Sequence, residues 1–390
     1  MKLHVHSLSL AMLAALAMPA AHAEVAIDVI GDSEVSFEGL LQTDGYWYDN
    51  DVANLDADAN DGADTDFGLR RAELVLKGKG PGNFDWVLGY DASGDGKFLD
   101  TNIKYKIGGN KKNSVQVGQY KQPNSMEELS STKNNDFIAK AMITNTFAVG
   151  RRLGASYNYA SDNWSMAGSV FGRELTRDRA HGSGYGFRGS WAPINDKGNI
   201  FNIGLSYVNY DTDGDVTRFR ARPDADFANR LIDTGSSGML NTDRLSTLGL
   251  ESFWVHGPLK LQGEYMMTTV DRYDTGFAAQ PSASYEATGG YASAVWNVTG
   301  ETWSNKDGVP GTSSAAEPAT GMWQVGLRYD TLDLNDGLVQ GGKTNTWTAG
   351  VNYYWRSNFK LMLDYVKVDS AKNNVDDNPG ILEARAQFFW

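Results

Sequence analysis

The chain has 390 residues, carries 48 acidic against 35 basic side chains for a formal charge of −13 at pH 7, and contains no cysteine. The acidic balance excludes nucleic acid as a partner, because binding a polyanion requires a basic surface. The missing cysteines exclude disulfides.

The first residues, "MKLHVHSLSLAMLAALAMPAAHA", combine a basic start, an apolar run over Leu8–Ala17 and small residues ending at Ala21-His22-Ala23. This is the pattern of a secretory signal peptide over residues 1–23, cleaved after Ala23, since the apolar run is too short to span a bilayer. His4, His6 and His22 leave with it, so residues 24–390 keep His181 and His256 alone. Two histidines supply neither a His-rich metal site nor the nucleophile–base cluster that an outer-membrane lipase or protease needs. No later window approaches 18 continuous apolar residues, which excludes a helical membrane protein.

From there to the end of the chain, apolar and polar residues alternate with period two. In "FDWVLGY", Phe84, Trp86, Leu88 and Tyr90 share one face. Leu99, Thr101, Ile103 and Tyr105 do so next, then Phe201, Ile203, Leu205 and Tyr207, then Phe359, Leu361, Leu363 and Tyr365. About sixteen such runs begin near residues 35, 67, 84, 99, 113, 149, 164, 185, 200, 245, 259, 287, 322, 345, 358 and 381. Short connections such as "PGN" (81–83) and "RSN" (356–358) alternate with long polar ones at 49–66, 121–146, 211–243 and 300–320.

An even strand number with turns at one end and loops at the other predicts an all-β fold, a transmembrane antiparallel β-barrel of about sixteen strands. A soluble sandwich also alternates. Aromatics at segment ends favour the barrel: Tyr46, Trp47, Tyr48, Trp164, Trp191, Trp254, Trp347, Tyr353, Tyr354 and Trp355 read as interfacial girdles. The final "ILEARAQFFW" ends on an aromatic residue, which suits an outer-membrane assembly signal.

Within the first long connection, "DADANDG" (56–62) resembles a calcium loop but has Asp61 at position six and Phe67 at position twelve, where an EF-hand needs Gly and Glu. A solvated loop is the better reading, and "DTDGD" (211–215) is read the same way; no metal or cofactor is expected.

"TRFRARPDADFANR" (217–230) places Arg218, Arg220 and Arg222 at alternate positions. In extended backbone they stand about 6.6 Å apart on one face, repelling by roughly 0.6 kcal/mol per neighbour in water and about 2.5 at an effective dielectric near 20. Either anions lie between the guanidiniums, or the row is a solvated loop paired with Asp224, Asp226 and Asp233. Arg230 and Arg244 extend the row or belong to the surface. Arg152 alternates with Gly154, Ser156 and Asn158, so it points inward, toward an anion path or toward a carboxylate such as Glu251 or Glu383. Lys104 and Lys106 are either part of a basic path or wall lysines that keep the lumen wet.

Several stretches go beyond barrel patterning. "VGQYKQPNSMEELSS" (117–131), "FAVGRRLGASY" (147–157), "FRARPDADF" (219–227), "GMWQVGLRYDTLDLND" (321–336), "GGKTNTWTAGVNYYWRSNFKLMLDYVKVD" (341–369) and the final "EARAQFFW" resemble the phosphate-selective porin O and P family. The resemblance implies a homotrimer of sixteen-stranded barrels in the outer membrane of a Gram-negative bacterium, embedded in lipid and lipopolysaccharide. It implies passive diffusion of phosphate or polyphosphate through an anion-selective pore. It makes Arg218, Arg220 and Arg222 a ladder, places lysines on the far side of a constriction, and puts Lys121 at the start of a long third loop that folds into the lumen. "SMEEL" and Val149 depart from the family's usual Gly-Leu-Glu-Glu-Leu and proline. A porin for another solute, such as sugars, and a structural or adhesive barrel are the alternatives.

Overall fold

The computed structural model describes residues 25–30, 33–57, 64–110, 112–176, 182–235, 239–274, 284–311 and 313–390. The expected signal peptide at 1–23, His181 and most of "DADANDG" lie outside the described residues.

Sixteen strands form the wall: β1 (Ser33–Asp49), β2 (Thr65–Lys79), β3 (Phe84–Asp91), β4 (Lys97–Lys106), β5 (Asn113–Lys121), β6 (Arg151–Ala160), β7 (Trp164–Phe171) and β8 (Gly184–Asp196), then β9 (Asn199–Asp211), β10 (Thr242–His256), β11 (Leu259–Arg272), β12 (Tyr285–Asn297), β13 (Met322–Asp336), β14 (Val339–Trp355), β15 (Phe359–Lys372) and β16 (Gly380–Phe389). Each pairs antiparallel with the next, and β16 returns to β1 from Leu40↔Phe389 to Asp49↔Gly380. Closure leaves no unpaired edge, which is what allows strands to cross a bilayer. Strand starts fall within three residues of those expected, except β14, which begins at Val339 rather than near 345. Gly341 and Gly342 interrupt the alternation there; Gly342 has φ +99° and passes so close to Ile232 that a Cβ would sit 2.6 Å from its side chain.

The alternation sorts side chains as expected. Ile103, Val117, Leu205, Leu250, Leu361 and Leu363 are exposed on the outer face, while Gln42, Asn202, Thr268, Arg328, Asp364 and Glu383 are buried on the inner one. Two expectations need correction. Leu99 turns inward and is buried, because the β3–β4 register shifts between Leu88 and Tyr90. Trp47, Trp164, Trp191 and Trp347 do stand on the outer face, but Tyr46, Tyr48 and Tyr354 are buried inside, since neighbours in a strand face opposite ways.

The connections also depart from strict alternation. The chain leaves the wall after Asp49, Lys121, Phe171, Asp211 and Arg272 at one end, the loop end, and after Lys79, Lys106, Ala160, Asp196, His256 and Trp355 at the other, the turn end. The long connection 298–321, expected among the loops, follows β12 and therefore lies at the turn end, while the loop end carries the two-residue turn 337–338. Inside the wall, segment 122–150 forms helices α1 (Met126–Leu129) and α2 (Met142–Phe147). Ile143 and Phe147 of α2 pack with Phe219, Ile232, Met266, Tyr285 and Leu332, so the main apolar core joins two loops to the inner wall.

Candidate anion path

Inner-wall side chains fix segment 122–150 through its backbone. Glu264 accepts from the amides of Met126 and Glu127 at 3.1 and 2.7 Å, Asp364 from Ile138 at 2.7 Å and Asp330 from Met142 at 2.6 Å. Arg328 donates to the Ala139 carbonyl at 2.9 Å and Arg385 to that of Ile138 at 2.7 Å. Lys260 pairs with Asp136 at 2.6 Å. These partners sit on β11, β13, β15 and β16, so the segment lies against that side and the space beside β2 to β9 stays open.

Residues 216–235 are seated by the same logic. Phe219, Ala221 and Ile232 are buried, and the Phe219 ring meets Phe147 edge-on at 5.4 Å and stacks on Tyr285 at 6.1 Å. A two-residue ladder pairs Arg220 with Asp233 and Ala221 with Ile232. Alternation then turns Arg218 and Arg220 fully, and Arg222 partly, to the opposite side.

Three chambers follow one another from the loop end to the turn end. The first, about 520 Å³, is lined by Arg70, Lys97, Arg218, Arg220, Arg222 and Arg230. The second, about 360 Å³, shares Arg70, Lys97, Asn145, Thr146 and Asp226 with it and adds Arg71, Lys121, Lys140, Arg151 and Arg152. The third, about 340 Å³, shares Lys121 with the second and is lined beyond it by Lys104, Lys112, Arg188 and Lys306.

Acidic groups near this path are engaged by cations. Asp224 meets Arg328 at 3.1 Å; Asp226 meets Arg70 at 2.7 Å and Arg385 at 3.6 Å. Arg385 also grips Asp44 with two bonds of 2.6 Å. Burial would raise the Glu128 carboxyl, but Lys140, 2.6 Å away, and Lys121 pull it down to about 2. The arginines, in turn, crowd one another: burial first, then Arg222 and Arg220, bring Arg230 down to about 10, still protonated at neutral pH.

The expected residues separate clearly. Arg218, Arg220, Arg222 and Arg230 meet in the first chamber. Arg218 is held by Asp233 at 2.8 and 2.5 Å, and Arg222 donates to the Ala228 carbonyl at 2.7 Å. Among the described residues none hydrogen-bonds or ion-pairs with the Arg220 guanidinium. Lys121 stands between the second and third chambers, its ammonium donating to the carbonyls of Glu128 and Ser130 at 2.5 and 2.8 Å.

Arg152 lines the second chamber over the Tyr210 ring at 5.8 Å; it does not pair with Glu251, which Arg188 occupies. Lys104 lines the third chamber, whereas Lys106 is tied to Asp85 at 2.8 Å and lines none of the three. Arg244 is a correction: its row runs Asp211, Arg244, Asp271 on the outer-facing side of β9 to β11, and its Nε donates to Asn209 at 2.5 Å, so it does not extend the ladder.

Sequence reasoning missed Arg70, Arg71, Lys97, Arg151 and Lys140. Register explains the first pair: Gln42 faces Arg71 while Thr43 faces Leu69, so Arg70 is the extra residue of a β-bulge and both arginines reach the lumen side. The doubled arginines in "GLRRAE" and "VGRRLG" were the available signal.

Known proteins agree with this architecture. The sequence profile described as "Phosphate-selective porin O and P" matches residues 42–390. Porin O of Pseudomonas aeruginosa is 26% identical over 409 aligned positions, covering 92% of this chain and 89% of its own. Two solved structures share the fold at low identity. One is the trimer form of OmpT of Vibrio cholerae (TM-score 0.59, 11% identity, 92% and 99% of the two chains). The other is the anion-selective porin from Comamonas acidovorans (TM-score 0.56, 13% identity, 92% and 100%). This chain belongs to the phosphate-selective porin O and P family, and it is a porin of the Gram-negative outer membrane, a channel and not an enzyme.

Proposed function

We propose that this porin passes anions, with phosphate or phosphate oligomers as the preferred solutes, by passive diffusion without a cofactor. The observation that carries the reading is the seating of Arg218, Arg220 and Arg222: an apolar face anchored by Phe219 and a cationic face turned to a 520 Å³ chamber. Planar guanidinium forks bind phosphate oxygens bidentately, which a lysine does not reproduce. A phosphate between Arg220 and its neighbours relieves their mutual repulsion, then steps to Arg70 and Lys97, and from there past Lys121 toward Lys104. Several comparable sites in a row admit an ion and still release it, where one deep site would trap it.

In this reading segment 122–150 narrows the lumen at the second chamber. The negative total charge sits mainly on loops and does not oppose selectivity, since the few charges inside a confined passage set the local field. Homotrimerisation is part of the proposal and rests on the family and on the trimeric OmpT fold relative; outer-membrane lipid and lipopolysaccharide surround the apolar outer face. Titrating the chloride current of single channels with phosphate, pyrophosphate, polyphosphate and a maltooligosaccharide tests it. Block by the phosphates at lower concentration than by the sugar is expected; block by the sugar alone refutes it.

A further inference from the structure

The long connection at the turn end has so far entered the path only through Lys306. It leaves β12 at Asn297 and enters β13 at Met322, yet its tip bonds to β7 and β8. Within it Asn305–Lys306 pairs with Val309–Pro310 as a small hairpin. The Ser165 hydroxyl donates to the Asp307 carbonyl at 2.8 Å. Arg188 makes three contacts at once: Nε to Glu251 at 2.8 Å, Nη1 to the Asp307 carbonyl at 3.3 Å and Nη2 to the Gly308 carbonyl at 2.8 Å. Gly308, at φ +82°, presses so closely on this side that a Cβ would lie 2.0 Å from the Ser190 hydroxyl.

The other flank of the hairpin is apolar and fixed to the narrowing loop. Trp303 is buried with Met126, Phe137, Phe253 and Val295, and Val309 packs on the same group. The segment therefore runs inside the wall, from β12 over the inner faces of β10 and β9 to β8 and β7, and Lys306, Asp307 and Val309 form part of the wall of the third chamber.

We propose that hairpin 305–310 is a size filter at the turn end, held inside the bore against β7 and β8 by Arg188 as a positioning residue, and that its release admits bulkier solutes. The geometry gives Arg188 this part: one planar fork reaches a wall carboxylate and two hairpin carbonyls together, which a point-charge ammonium does not do. The proposal rests on the porin activity of the chain but not on its preference for anions. Neutral polymers of graded size report bore width alone, so the two readings fail separately.

The test uses the full chain reconstituted in planar bilayers, with polyethylene glycols of increasing mass added on the turn side and their entry read from the drop in single-channel conductance. Two variants are compared with the parent. R188A combined with E251Q frees the hairpin without leaving Glu251 charged and unpaired, and a shortened loop replaces residues 304–311 by two glycines. Both are expected to shift the smallest excluded polymer to larger mass and to raise single-channel conductance. A residue that served stability alone would lower heat resistance and leave the cut-off in place. An unchanged cut-off in the folded, shortened-loop channel overturns the proposal, whether or not the double variant folds.

Discussion

Arg220→Ala is the sharpest single perturbation. The Arg220 side chain is exposed to the first chamber, its guanidinium is free of protein partners among the described residues, and the backbone bridge to Asp233 survives the substitution. A charge-assisted hydrogen bond contributes about 1.5–3 kcal/mol, and each 1.4 kcal/mol is tenfold in affinity. Loss of this fork is therefore expected to weaken phosphate block of the chloride current by roughly ten- to a hundredfold. Arg218→Ala supplies the contrast. Its guanidinium is already neutralised by Asp233, so the expected weakening is under about fivefold, the scale of an exposed ion pair. The assay is single-channel block against phosphate concentration for both variants. Equal effects, or an unchanged block in Arg220→Ala, would refute the assignment of the path to the free fork.

Phe219→Ala removes a buried ring from the core, a change that costs about 3–5 kcal/mol in a packed interior; phosphate block should be lost although every arginine is retained, and intact block would show that the loop is held some other way. Arg385→Met leaves the buried Asp44 unpaired, and removing one partner of such a pair costs about 3–5 kcal/mol. The thermal midpoint of the barrel should fall clearly, and an unchanged midpoint contradicts the role given to that pair. The Glu128 carboxyl, depressed from 4.5 to about 2, contributes about 3 kcal/mol that is fully present above pH 4.5 and lost as pH falls toward 2. The stability gap between the parent and Glu128→Gln should close over that window, and a gap constant with pH refutes the Lys140–Glu128 account.

The barrel is legible in the sequence because period-two alternation and girdle tryptophans are local signals. Residues such as Leu361 and Leu363 declare their face within one strand. Sites where register slips are not local: Leu99 and Arg70 point where they do because of bulges against partner strands, and no spacing within their own segments reveals that. The inward turn of Arg152 followed from parity, and the loop that bears Arg218 to Arg230 from its unusual charge row. What fixes that row, Phe219 on Phe147 and Tyr285, joins three distant segments and emerges only on folding. Arg244 sits close to the same loop in sequence, but parity on β10 turns it outward, which shows that proximity in the chain is a weaker guide than strand face.

The central claim is that cationic side chains inside the bore set which ions pass. Its most direct test is the reversal potential of the purified protein in a planar bilayer under a KCl gradient. A potential displaced toward the chloride equilibrium value is expected; one displaced toward that of potassium would contradict the account.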